Sequence, residues 1–225
     1  MTNRSGDADV QPGQLADVAA QVAGIAPLAR RLVTLDPRGL LRIRLGGTVA
    51  AAYARLPFGV LVGRTISIDR AGARLEWVVR AGELLSWLDG EIAEPPRRRD
   101  MEWRGALPPA VGWRRIETVP DEVIRDVVRK GAAAFRQAAA REGVPGSQPR
   151  AEVADALLDS IVLSATEGGL HAEITLRAMS AVTRMGFLPR GSYAAVDVCG
   201  RWSRLAAEYG SVYAELPGMA LGIVS

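Results

Sequence analysis

Residues 61–88 read LVGRTISIDRAGARLEWVVRAGELLSWL, and residues 158–185 read LDSIVLSATEGGLHAEITLRAMSAVTRM. Placed on one another without gaps, the two stretches share Leu61/Leu158, Ser67/Ser164, Gly72/Gly169, Glu76/Glu173, Arg80/Arg177 and Ala81/Ala178. Each predicts a strand, a glycine turn, a second strand ending at Arg-Ala, and a short helix. A short antiparallel sheet with one apolar face must bury that face under a helix layer or a second sheet. The expected fold is therefore α+β. Its sheet is mostly antiparallel, and two similar αβ halves are related by an internal ββα duplication and packed with long helices. Two unrelated hairpin-plus-helix units are the competing reading of the same match.

Working outward, each half has helical sequence in front of this unit. From residue 14 to 35, Leu15, Val18, Val22, Ile25, Leu28 and Leu32 recur mostly three or four apart, and Pro27 predicts a kink. Residues 121–141 predict a long helix whose start, Pro120-Asp121-Glu122, suits the donor-rich, electropositive first turn. The remaining strands precede the unit in the first half and follow it in the second. Leu41, Ile43 and Leu45 alternate with Arg42 and Arg44 as a half-buried strand does. Gly46-Gly47 and residues 69–72 are expected to be turns. Residues 142–149 read as a flexible linker, and residues 153–166 as helix or strand ending in strand. Residues 193–199 and 202–216 read as a closing antiparallel pair. The resulting division is a disordered leader at 1–12, an N-terminal α+β half at 13–90, a Pro/Arg/Trp connector at 91–119 and a C-terminal α+β half at 120–225.

The 225 residues are 48% hydrophobic and 24% charged, with a net charge of +3, as expected of a globular chain. Cys199 is the only cysteine, which excludes an intrachain disulfide and suits a reducing compartment. With no apolar leader and no stretch resembling a bilayer span, the expectation is a cytoplasmic protein without membrane contact.

One His and one Cys cannot furnish a standard zinc set, and no Walker or dinucleotide-binding loop is present, so no metal or cofactor is expected. A triad from Ser164 or Cys199 with His171 and Asp197 can be written, but no GxSxG elbow accompanies it. His171 falls in an expected turn, and Cys199 in an apolar alternation that favours burial. Glu76 and Glu173, the matched acids, are the remaining route to chemistry. They are candidates for a carboxylate-dependent hydrolase, or else strand acids paired to Arg80 and Arg177.

The connector carries the strongest binding signal. Arg97, Arg98, Arg99, Arg104, Arg114 and Arg115 face only Asp100 and Glu102 in that stretch, and Trp103 and Trp113 interleave with them. Arginine grips phosphate bidentately and tryptophan stacks on bases, so these eight residues are the candidate anion or nucleic-acid contacts. The alternative is packing: tryptophans closing a core edge while arginines pair with acids. A second route to DNA is winged-helix-like, with a helix at 176–185 followed by a hairpin and carrying Arg177, Arg184, Arg190, Arg201 and Arg204. The reading preferred here is a non-enzymatic binding or scaffold protein that acts through protein contacts or self-association. Strand 202–216 would offer an edge for pairing, and nucleic-acid binding is the alternative.

Overall fold

The computed structural model describes residues 12–141 and 147–215, except for the side chains of residues 12–16, 70–73, 139, 141 and 147–151. The architecture is α+β with mainly antiparallel sheet. The chain separates into two compact units. One takes residues up to Ala52 together with Thr65–Trp103, the other Tyr53–Arg64 together with everything from Arg104.

In the first unit, helix α1 (Pro12–Val22) passes through a single 3-10 turn (Ala23–Ile25) into α2 (Ala26–Leu35). The break falls where Pro27 was expected to place it, since proline fits the first turn of the second helix but not the interior of one long helix. Residues Asp17–Leu35 do match a membrane-crossing helix by length and composition, contrary to the sequence expectation. In this fold they are interrupted, and they bury Ile25, Leu28, Ala29 and Leu32. Strand β1 (Leu40–Arg55) buries Leu41, Ile43 and Leu45 and turns Arg42 and Arg44 outward, as the alternation required. Strand β2 (Leu61–Arg80) leads directly into α3 (Ala81–Leu88), which buries Leu84 and Trp87. Both β1 and β2 run on through the expected turns at Gly46-Gly47 and 69–72. Gly47 holds φ at +60° inside β1; glycine lets a strand bend or bulge as readily as it ends one.

In the second unit, residues 56–60 close the β1–β2 hairpin, with the Leu56 amide donating to the Val60 carbonyl at 2.8 Å. Strand β3 (Arg114–Pro120) follows, inside what the sequence marked as connector, and then helices α4 (Asp121–Arg141) and α5 (Ser147–Leu158). The expected linker at 142–149 lies outside the described residues up to 146, and its remainder is helical. The leader at 1–12 lies outside them up to 11. Strands β4 (Ile161–Glu167) and β5 (Leu170–Thr175) form a two-stranded sheet, and α6 (Leu176–Arg184) follows. The closing pair is in fact three strands, β6 (Tyr193–Cys199), β7 (Trp202–Ala207) and β8 (Gly210–Glu215), because the chain reverses again after Ala207.

The larger sheet runs β1-β2-β8-β7-β6-β3. Strands β7 and β8 are therefore interior, hydrogen-bonded on both sides, and offer no edge for pairing as had been expected of 202–216. The face carrying Val196, Leu205 and Val212 is buried, as are Met179 and Val182 of α6 and Phe187 after it. Gly210 permits a close approach: a Cβ there would lie 2.7 Å from the Phe187 ring and 2.8 Å from the Gly63 carbonyl oxygen. Because one of those neighbours is backbone, Gly210→Ala should cost about 1–3 kcal/mol, measured by urea unfolding.

Candidate anion and nucleic-acid contact site

The eight candidate residues divide between the units, Arg97–Arg99 and Trp103 in the first, Arg104 and Trp113–Arg115 in the second. In the first unit the segment after residue 97 is sewn onto β2. The Arg99 amide donates to the Val78 carbonyl at 2.7 Å, and the Val78 amide donates to Asp100 Oδ1 at 2.7 Å. Arg98 donates to Asp100 Oδ2 at 2.9 Å and to the Glu76 carbonyl at 2.8 Å. Arg99 bridges Glu102 and Glu83, each at 2.9 Å, and these partners raise its pKa above the ordinary guanidinium value. The Trp103 ring lies 5.9 Å from the Arg42 guanidinium. Arg97 is exposed and has no partner among the described residues.

In the second unit, register places Leu61, Tyr213, Arg204, Asp197 and Arg115 in one row across five strands. Asp197 is buried at 3% exposure and accepts from Arg204 Nε at 2.9 Å and from its terminal nitrogen at 2.6 Å. Arg115 approaches the same carboxylate at 3.6 Å. Trp113 covers this row, its ring 4.3 Å from the Arg204 guanidinium and 5.9 Å from the Tyr213 ring, and its indole N–H donates to the Pro109 carbonyl at 2.9 Å. Burial pushes the Tyr213 phenol pKa up. The Cys199 thiol sits 3.5 Å from the Val111 carbonyl, and Cys199 is only partly buried, where full burial was expected. Arg104 holds Arg55 through its backbone carbonyl at 3.1 Å. Its own guanidinium and that of Arg114 have no partner among the described residues. Of the eight candidates, the cations left to meet an anion among the described residues are thus Arg97 in one unit, and Arg104 and Arg114 in the other.

The other candidates are not assembled as written. Glu76 binds Arg42 at 2.6 Å and Arg44 at 3.2 Å rather than Arg80. Glu173 faces His171 at 3.5 Å rather than Arg177. The reason is strand geometry: Glu76 lies beside outward arginines of the neighbouring strand, while Arg80 and Arg177 sit at helix entrances. His171 lies in β5, not in a turn, with Nδ1 3.0 Å from the Thr166 hydroxyl, while Asp197 is committed to Arg204. Among the described residues no three His, Cys, Asp or Glu side chains cluster as a metal set requires. The winged-helix reading fails because α6 buries Leu176, Ala178, Met179, Ser180, Ala181 and Val182, leaving little surface to enter a groove.

Sequence reasoning missed the role of Arg177. Its side chain, 14% exposed, donates to Asp159 at 2.7 Å, to Asp155 at 3.0 Å and to the Phe58 carbonyl. Its recurrence opposite Arg80 was the available signal. Arg80 likewise donates to a carbonyl, that of Arg38, at 3.0 Å, and approaches Glu102 at 3.6 Å.

Residues 11–105 match the family model described as Domain of unknown function (DUF8010), and residues 108–218 that described as Domain of unknown function (DUF8185). No curated protein matches the sequence. Among solved structures, the chain is similar to the beta subunit from DNA polymerase of Streptococcus pyogenes. That match has 11% identity and a TM-score of 0.53, over 88% of this chain and 63% of that one. It is also similar to the DNA polymerase sliding clamp from Pseudomonas aeruginosa, at 8% identity and a TM-score of 0.51, over 87% of this chain and 63% of that one. The likeness is one of fold, and the chain spans less than two thirds of the length of these two proteins.

Proposed function

We propose that the chain is a non-enzymatic scaffold module that acts through protein contacts, with self-association as one form of them. The observation that carries this reading is the clamp-like course of the chain over 87–88% of its length. The engagement of Asp197, Glu76 and Glu173 by neighbouring cationic or imidazole groups supports it, since acids so held are poorly placed for acid–base work. We also infer that the halves flanking the 91–119 connector arose by duplication of one αβ unit, although the expected strand–turn–strand is present only as β4 and β5 in the second half and is the single strand β2 in the first. Arg80 and Arg177 support this, each tying a helix entrance to the carbonyl of an earlier turn. Sedimentation equilibrium, together with crosslinking of the full chain in its native lysate, tests the scaffold reading. A species heavier than the 24.0 kDa chain, or one reproducible partner, is the expected result. A monomer that captures nothing would refute it.

A nucleic-acid-binding reading is favoured by the exposed, unpartnered Arg97, Arg104 and Arg114. Arg98 and Arg99 are structural, so the informative variant is Arg97→Ala with Arg104→Ala and Arg114→Ala. If these residues contact phosphate, the salt slope of DNA binding between about 50 and 200 mM should fall by roughly 0.9 per lost contact. An unchanged slope excludes them as the contact.

A further inference from the structure

Helices α4, α5 and α6 of the second unit enclose a groove of about 290 Å³. Its walls are apolar, formed chiefly by Val128, Ala132, Phe135, Leu157, Leu158 and Leu176. Its polar lining residues are Arg136, Ser180 and Arg184, with no acid among the described residues that line it. Neighbouring cations are neutralised, Arg129 and Lys130 by Asp126, and Arg177 by Asp155 and Asp159. Arg136 and Arg184 are not. Among the described residues Arg184 lies 5.8 Å from the Phe58 ring and meets no carboxylate, and Arg136 has no partner.

We propose that this groove binds a small amphipathic carboxylate, its aliphatic or aryl tail between the helices and its head on Arg184 and Arg136. Apolar walls reward burial of a tail. Two uncompensated guanidiniums bordering those walls reward one anionic head, through charge-assisted hydrogen bonds that strengthen as water is excluded. The volume lies at the lower end of small-ligand sites, about 300 Å³, and suits a medium-length tail better than a partner helix. The site goes beyond the scaffold reading and does not depend on it.

The test is calorimetric titration of the full chain with decanoate, and with decan-1-ol as its uncharged counterpart. Saturable binding at a single site is expected, with decan-1-ol at least about tenfold weaker. Arg184→Gln and Arg136→Gln, both at exposed positions, should each weaken decanoate binding by about tenfold, the range for a hydrogen bond to a charged group. Ala132→Trp, which fills the groove, should abolish it. Absence of saturable binding up to about 5 mM, beyond the roughly 1 mM that corresponds to about −4 kcal/mol, would overturn the proposal. So would equal binding of the alcohol, or full affinity in both arginine variants. An acidic, apolar peptide that bound in an Arg184-dependent way where decanoate did not would overturn it too, in favour of a protein partner.

Discussion

Arg204→Met is expected to lower the free energy of unfolding by about 3–5 kcal/mol. The argument starts from Asp197, whose side chain is 4% exposed in the middle of the sheet. Its carboxylate is offset by the two short bonds from Arg204, both to Oδ2. Arg115 can take over only in part: it stands at 3.6 Å on a side chain 58% exposed, where solvent screens its charge. Removing Arg204 therefore leaves a nearly unpaired buried charge, and also strips the Trp113 ring of the cation it covers. Urea unfolding measures the loss. Combining Arg204→Met with Asp197→Leu should recover much of the stability, because replacing both partners removes the uncompensated charge. If the double variant were no better than the single one, stacking on Trp113 rather than charge compensation would be the main term.

Arg177→Ala is expected to cost about 2–3 kcal/mol and to loosen α5 first. The guanidinium ties Asp155 of α5 and Asp159 beyond it to the entrance of α6, and the Phe58 carbonyl to both. Asp155 and Asp159 are 65% exposed and regain water once the pair is broken, so the loss falls below that of a fully buried pair. The Phe58 carbonyl does lose its donor. Hydrogen exchange should accelerate in 152–160 more than in β6–β8. Arg177→Lys should recover less than half, because one ammonium cannot span three acceptors that a planar fork reaches together. Uniform acceleration throughout the unit would mean that Arg177 supports the whole core rather than this joint.

The local elements were legible in the sequence wherever a short-range rule governs them. Pro27 set the break between α1 and α2, Pro120-Asp121-Glu122 the start of α4, and the Arg42/Arg44 alternation the outward face of β1. Composition alone marked the connector as arginine- and tryptophan-rich. Glycines were the ambiguous signal, since the same residue bends β1 at Gly47 and ends β4 at Gly168.

Only the tertiary structure decided the partners. Nothing local distinguishes Arg98 and Arg99, held by acids, from Arg97, which is not, or assigns Asp197 to Arg204 rather than to a catalytic set. Nor does any local pattern reveal that β7 and β8 are interior strands, or that α4, α5 and α6 leave a groove bordered by arginines with no acid partner among the described residues. Backbone propensity and periodicity act over a few residues and can be read along the chain. Charge pairing and strand neighbourhood act through space, between residues tens of positions apart, and the sequence does not state those distances until the sheet register has set them.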